Sequence, residues 1–145
     1  MKKNTLSRIF HSIQALSFMG TQSAIEIAEA WTSAWSGVDP PAVGADVGES
    51  RLDWELPRED PELCLASIVE VLKRIDGLSP NRLLAALAAG PLEDLLTQNG
   101  SVVVEQVEVL ARHSPEFRFL LNGVWDSRIH PEVLSKLAKY RNRPW

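Results

Sequence analysis

Residues 83–125 read LLAALAAGPLEDLLTQNGSVVVEQVEVLARHSPEFRFLLNGVW, and the punctuation in this stretch decides the fold. Glycine and proline carry most of the local information in a sequence. Ser79-Pro80 has the form of a helix start, with a hydroxyl to satisfy an orphan amide and a proline that has no amide to lose. The helix it opens runs through Ala89 and is expected to stop at Gly90, a residue able to take the left-handed end conformation. Pro91 then starts a short second helix with Leu92, Leu95 and Leu96 on one face. Glu93 and Asp94 fall in its first turn, where negative charge complements the helix dipole. Asn99-Gly100 reads as its end. Ser101 caps a third segment, in which Val103, Val107 and Leu110 recur at helical spacing. Ser114-Pro115-Glu116 repeats the cap-and-proline device ahead of Phe117, Leu120 and Leu121. Four short helices with tight connections predict an angular, closely packed helical unit.

The same residues carry a resemblance. GPLEDLL, an Asn-Gly break, VEQVEVLA and SPEFRFLLNGVW together resemble an uncharacterised bacterial family catalogued only as a domain of unknown function. The likeness runs from about Asp60 to Leu134, with Gly90–Leu96 and Phe117–Trp125 as its anchors. It implies a fold and brings no activity.

Outward from this core, Asp60-Pro61-Glu62 opens what reads as the longest helix, ending near Asp76-Gly77. Leu65, Ile68 and Leu72 form one apolar stripe, and Cys64 and Val71 widen it, so this helix is expected at the centre with several neighbours. Cys64 is expected to be a buried small hydrophobe. Glu70 and Arg74 have the spacing of an i, i+4 ion pair. Upstream, Ser23 and Glu26 form a capping-box pattern, and Ala24, Ala28, Trp31 and Trp35 recur on one face. An earlier stripe, Leu6, Ile9, Phe10, Ile13 and Leu16, predicts an amphipathic helix docked on the domain. Downstream, Pro131-Glu132 begins a last helix, and residues 141–145 read as a tail that frays or docks through Trp145. The expected organisation is all-α, one domain of six to eight helices. It comprises an N-terminal helical pair (1–36), an acidic Pro/Gly-containing loop (37–59), the family-like module (60–140) and the tail.

Composition narrows the function classes. At 145 residues, 45% hydrophobic and 23% charged, the chain belongs with globular proteins that bury a real core. No apolar run reaches the length of a membrane span. One cysteine excludes an internal disulfide and fits a reducing compartment, so the cytoplasm is the expected location. The net charge of −4 hides an uneven distribution. Residues 1–20 and 136–145 carry only basic charges, and the body between them holds all 19 acids. An acidic body repels nucleic acid, whose binding depends on phosphate neutralisation.

Catalytic and cofactor signatures are missing. There is no phosphate-binding glycine loop and no H-E-x-x-H. His11, His113 and His130 lie in separate segments without metal-ligand spacing. No catalytic residue, cofactor or metal is therefore expected. Two candidate sites remain. Asp46–Glu62 concentrates seven acids against Arg51 and Arg58, with Trp54 among them. Asp53, Trp54, Glu55 and Glu59 would then suit a partner protein with a basic surface, because tryptophan anchors such interfaces. The alternative for Trp54 is a short turn that pins it into the core. Glu93, Arg118 and Trp125, in the two anchor segments, are expected to meet either as a structural ion pair or as a polar ligand or catalytic site. Size, acidity and the lack of a catalytic motif favour a non-catalytic binding protein, analogous to the immunity and antitoxin proteins that neutralise bacterial toxins. An enzyme or ligand-binding module at Glu93, Arg118 and Trp125 is the alternative.

Overall fold

The computed structural model describes residues 23–37 and 50–145, and among these every regular element is helical. The expected N-terminal amphipathic helix and most of the Pro/Gly-containing loop lie outside the described residues. Helix α1 spans Ala24–Trp35, followed by two single-turn helices, α2 (Arg51–Trp54) and α3 (Leu56–Glu59). Next come α4 (Pro61–Leu72), α5 (Arg82–Leu87), the long α6 (Glu93–His113), α7 (Pro115–Leu121) and α8 (Pro131–Leu137). A π-helical turn, Ala88–Leu92, joins α5 to α6, and a 3-10 turn, Ala138–Tyr140, follows α8.

Local caps set most of the helix starts. Ser23 Oγ accepts from the Glu26 amide, Asp60 Oδ1 from Leu63, and Ser114 Oγ from Phe117. Asn81, not Ser79, caps α5 by accepting from the Leu84 amide at 2.9 Å. The chain also corrects one expected helix end and keeps another. Gly90-Pro91 does not stop the helix: the missing proline amide is absorbed by widening one turn into a π-helix, and the chain continues into α6. Asn99-Gly100 does interrupt the helix as expected: Asn99 leaves helical angles, at φ −137° and ψ 29°, and α6 consists of two helical segments that meet at this kink. The Asn99 amide group donates to the carbonyls of Pro57 (2.7 Å) and Arg58 (3.1 Å), so the distortion ties α6 to α3. Ser101 lies within the second segment and does not cap it, and the two segments of α6 together span 21 residues against 12 for α4.

Helix α4 is nevertheless enclosed. Residues Leu63 to Ile68 are buried without interruption, and α4 packs against α1, α3, α6, α7 and the π-helical turn. Leu65 and Ile68 have no exposed surface, Leu72 lies at the edge of the core, and Cys64 is fully buried. The Cys64 thiol is held well above its ordinary pKa by burial and by the charges of Asp60 and Asp94, which keeps it protonated and inert. Glu70 is also buried and takes Lys73 at 2.7 Å and Arg74 at 3.2 Å, while Arg74 reaches Glu29 of α1 at 3.6 Å.

Helix α8 crosses α6 at Gly100, where an added Cβ would stand 3.0 Å from Val133. A mid-helix glycine is disfavoured by itself, and this close approach accounts for it. The C-terminal tail is docked. The Trp145 ring stacks on Phe119 at 5.1 Å, and its indole N–H donates to the Phe119 carbonyl at 2.6 Å. Arg141 donates to the Val124 carbonyl at 2.7 Å, and the Arg143 amide donates to Asn122 Oδ1 at 2.8 Å. At Gly123 a Cβ would stand 2.5 Å from the Trp145 ring. Gly123→Ala is therefore expected to dislodge Trp145 and expose residues 141–145 to carboxypeptidase. Unchanged resistance to the enzyme would contradict this docking.

Candidate functional site

The acidic stretch is not a uniformly solvated loop. Leu52 and Leu56 are fully buried and fix α2 and α3 to the body. Between them Asp53 points inward: its Oδ1 accepts from the Trp31 indole at 2.8 Å and its Oδ2 from the Trp35 indole at 3.3 Å. The two indoles lie 5.7 Å apart at 34°. Thus the Trp31/Trp35 stripe of α1 supplies both packing surface and two donors for one carboxylate. On another side the π-helical turn comes close, an added Cβ at Gly90 being 3.9 Å from Asp53 Oδ1. Asp53 is thus partly buried and held by two indoles, and is not freely presented to solvent as a binding carboxylate was expected to be. Composition counts its charge but does not reveal its direction.

Trp54 takes the opposite course. Its side chain leaves the core and is 52% exposed, so the alternative in which it serves as a buried pin is overturned. Leu52 and Leu56 do that work. Glu55 is half-buried and pairs with Arg51 at 2.8 Å, whereas Glu59 and Arg58 are exposed. Of the expected set, Trp54 and Glu59 face solvent freely.

Glu93 and Trp125 are brought together, and Arg118 is not with them. Glu93 Oε1 accepts from the Trp125 backbone amide and its Oε2 from Arg128, both at 3.3 Å. Arg128 also lies 3.5 Å from Asp94. The ion pair expected between Glu93 and Arg118 is thus made by Arg128. The reason is the connector after Trp125, which brings residue 128 over the first turn of α6. Arg118 sits on α7 and lines a different groove with Lys139, Tyr140 and Arg143. The Trp125 ring itself is 72% exposed. It borders a shallow cavity of about 410 Å³ shared with Asp126, Arg141 and Trp145.

A profile of a family of unknown function, DUF6869, matches residues 46–145. The chain belongs to this family. No curated protein matches the chain, and no solved structure matches it. The DUF6869 segment includes Asp53, Trp54, Glu93 and Trp125 but begins after α1, so the two indoles that hold Asp53 lie outside it. It also extends beyond the 60–134 range of the resemblance, taking in α2, α3 and the docked tail.

The electrostatics of this corner are those of carboxylates taken partly out of water. Burial pushes the Asp53 carboxyl above its ordinary value of 3.8, the two indole bonds oppose that shift, and the charge of Asp94 adds to it. Asp94 is raised as well, again chiefly by burial, with Arg128 opposing and Glu93 adding. A raised folded-state pKa stabilises the fold at low pH, and the benefit disappears as pH rises through that pKa. Asp53 and Asp94 are accordingly expected to add resistance to urea as pH falls through their raised pKa values toward 3.8. Asp53→Asn should flatten that part of the profile. A profile that Asp53→Asn leaves unchanged would contradict the assignment. Among the described residues no group of acids, histidines or cysteines is arranged to hold a metal ion.

Proposed function

We propose that this chain is a non-catalytic binding protein that docks a partner with a basic surface through Trp54 and its neighbouring acids. Immunity and antitoxin proteins act in this way on toxins, and that class is the reading we adopt. The observation that carries the proposal is how Trp54 is presented. Its indole stands half in solvent on a single helical turn whose flanking Leu52 and Leu56 are fully buried. The preceding carboxylate, Asp53, is held by two indoles. A large exposed aromatic on backbone fixed in this manner loses little further freedom on binding, which is the property of an interface anchor. Around it, between residues 50 and 62, five acids oppose two arginines. That field speeds encounter with a basic partner, and the indole supplies the desolvated contact that charge alone lacks.

No helix among the described residues is long and apolar enough to cross a membrane. A cytoplasmic location, supported by the single unpaired cysteine, belongs to this proposal.

The electrostatic half is tested by capturing the partner from the native host with tagged protein, then measuring association of the purified pair. Glu59→Lys and Glu62→Lys together should lower the association rate about tenfold at low salt and weaken its salt dependence. Both positions are free of the cap and clamp that involve Asp60 and Asp53. An unchanged rate with unchanged salt dependence would overturn the acidic-face reading.

A further inference from the structure

The C-terminal run from Lys136 to Trp145 carries four cations and no acid, and the fold gives most of it fixed positions. Arg118 of α7, Lys139 of the 3-10 turn and Arg143 of the tail line one groove of about 640 Å³, with Phe119 and Tyr140 in its wall and no acidic residue in the lining. Arg51, Arg74, Arg128 and Arg141 each have a carboxylate within ion-pair distance, whereas Arg58 and Arg112 do not among the described residues. Among the described residues, the side chains of Arg118, Lys139 and Arg143 have none. In a protein with 19 acids and a net charge of −4, this groove brings together three cations and no acid in its lining. Their mutual repulsion costs folding free energy that a bound anion would relieve.

The groove is built from fixed backbone. Asn122 is buried and organises it: its amide group donates to the carbonyls of Arg118 and Tyr140, each at 2.8 Å, and its oxygen accepts from the Arg143 amide at 2.8 Å. One side chain therefore sets the backbone at all three contributing segments. The Trp145–Phe119 stack closes the end of the tail against α7. Two cations also flank Tyr140, with Lys139 Nζ standing 5.2 Å from the centre of its ring. Its phenol is held below the ordinary range by the Arg112 guanidinium at 3.4 Å, with the Lys139 charge adding.

We propose that this groove binds a small polyanion bearing phosphate groups. Its volume falls within the range of small-ligand sites. Three cations lining one groove exceed what one carboxylate neutralises, whereas adjacent phosphates concentrate several charges in a small volume. Two of the three cations are arginines, whose planar forks match phosphate oxygens in pairs. The site is separate from Trp54 and does not depend on the protein-binding proposal.

Titration calorimetry of the full chain with inorganic tripolyphosphate tests it, with citrate as the carboxylate comparison. Tripolyphosphate is expected to bind with a dissociation constant below about 1 mM, weakening as salt rises. Arg118→Gln and Lys139→Gln should each weaken it about tenfold, the effect of one charge-assisted hydrogen bond. Arg118→Lys should recover part of the loss. Lys136→Gln removes a charge from the same basic run but outside the groove and should change affinity less than about twofold. Thermal melting of each variant shows that it is folded. Absence of tripolyphosphate binding would overturn the proposal, as would equal loss in Lys136→Gln or binding of citrate alone.

Discussion

Trp31→Ala is expected to lower stability by about 3–5 kcal/mol, among the largest single-residue effects in this protein. Trp31 has no exposed surface, so truncation leaves a cavity against the core. It also removes the shorter of the two indole bonds to Asp53, leaving a partly buried carboxylate with one donor fewer. Trp31→Phe separates these contributions, because it retains most of the ring and deletes the donor. It should cost about 1–3 kcal/mol, the penalty of an under-satisfied buried polar group. The measurement is urea unfolding of wild type, each variant and the double variant with Asp53→Asn. A Trp31→Phe protein as stable as wild type would show that the carboxylate does not rely on the indole.

Ile68→Ala should cost about 2–5 kcal/mol. Ile68 is fully buried on α4, the helix enclosed by neighbours over the whole Leu63 to Ile68 stretch. Leu72, one turn later and 9% exposed, borders the groove between α4 and α7. Leu72→Ala is therefore expected to cost less than Ile68→Ala. The reverse order in unfolding midpoints would contradict the orientation of α4.

The parts of this fold legible in the sequence are those set by local chemistry. Ser23, Asp60 and Ser114 cap helices through amides only three residues away, and the stripe of Leu65, Ile68 and Leu72 needs only helical period to be recognised. Gly90-Pro91 and Asn99-Gly100 were both expected to end helices, and the chain leaves helical angles at Asn99 but not at Gly90-Pro91. At Asn99 the disruption is accommodated by the carbonyls of Pro57 and Arg58, more than 40 residues away and invisible to a local reading. At Gly90-Pro91 the turn widens and packs near Asp53, a partner equally remote in sequence.

The candidate sites follow the same division. Trp54 and the acids around it stood out by composition, yet composition does not distinguish Asp53, turned inward to two indoles, from Glu59, turned outward. Trp31 and Trp35 fitted the apolar stripe of α1, but their N–H groups acquire an acceptor only when α2 folds against that helix. Glu93 was legible as a first-turn acid of an anchor segment. Its partner was not, because Arg128 lies in a connector without periodicity. The basic tail was legible as charge alone. Its groove depends on Asn122, whose three hydrogen bonds join segments distant in sequence.

Trp54 is the proposed interface anchor, and the affinity of Trp54→Ala for the captured partner tests that role. Because Trp54 is half-exposed, this substitution should leave the unfolding midpoint close to wild type. The expected result is a loss of affinity of at least about thirtyfold, corresponding to about 2 kcal/mol. Wild-type affinity in a folded Trp54→Ala protein would contradict it.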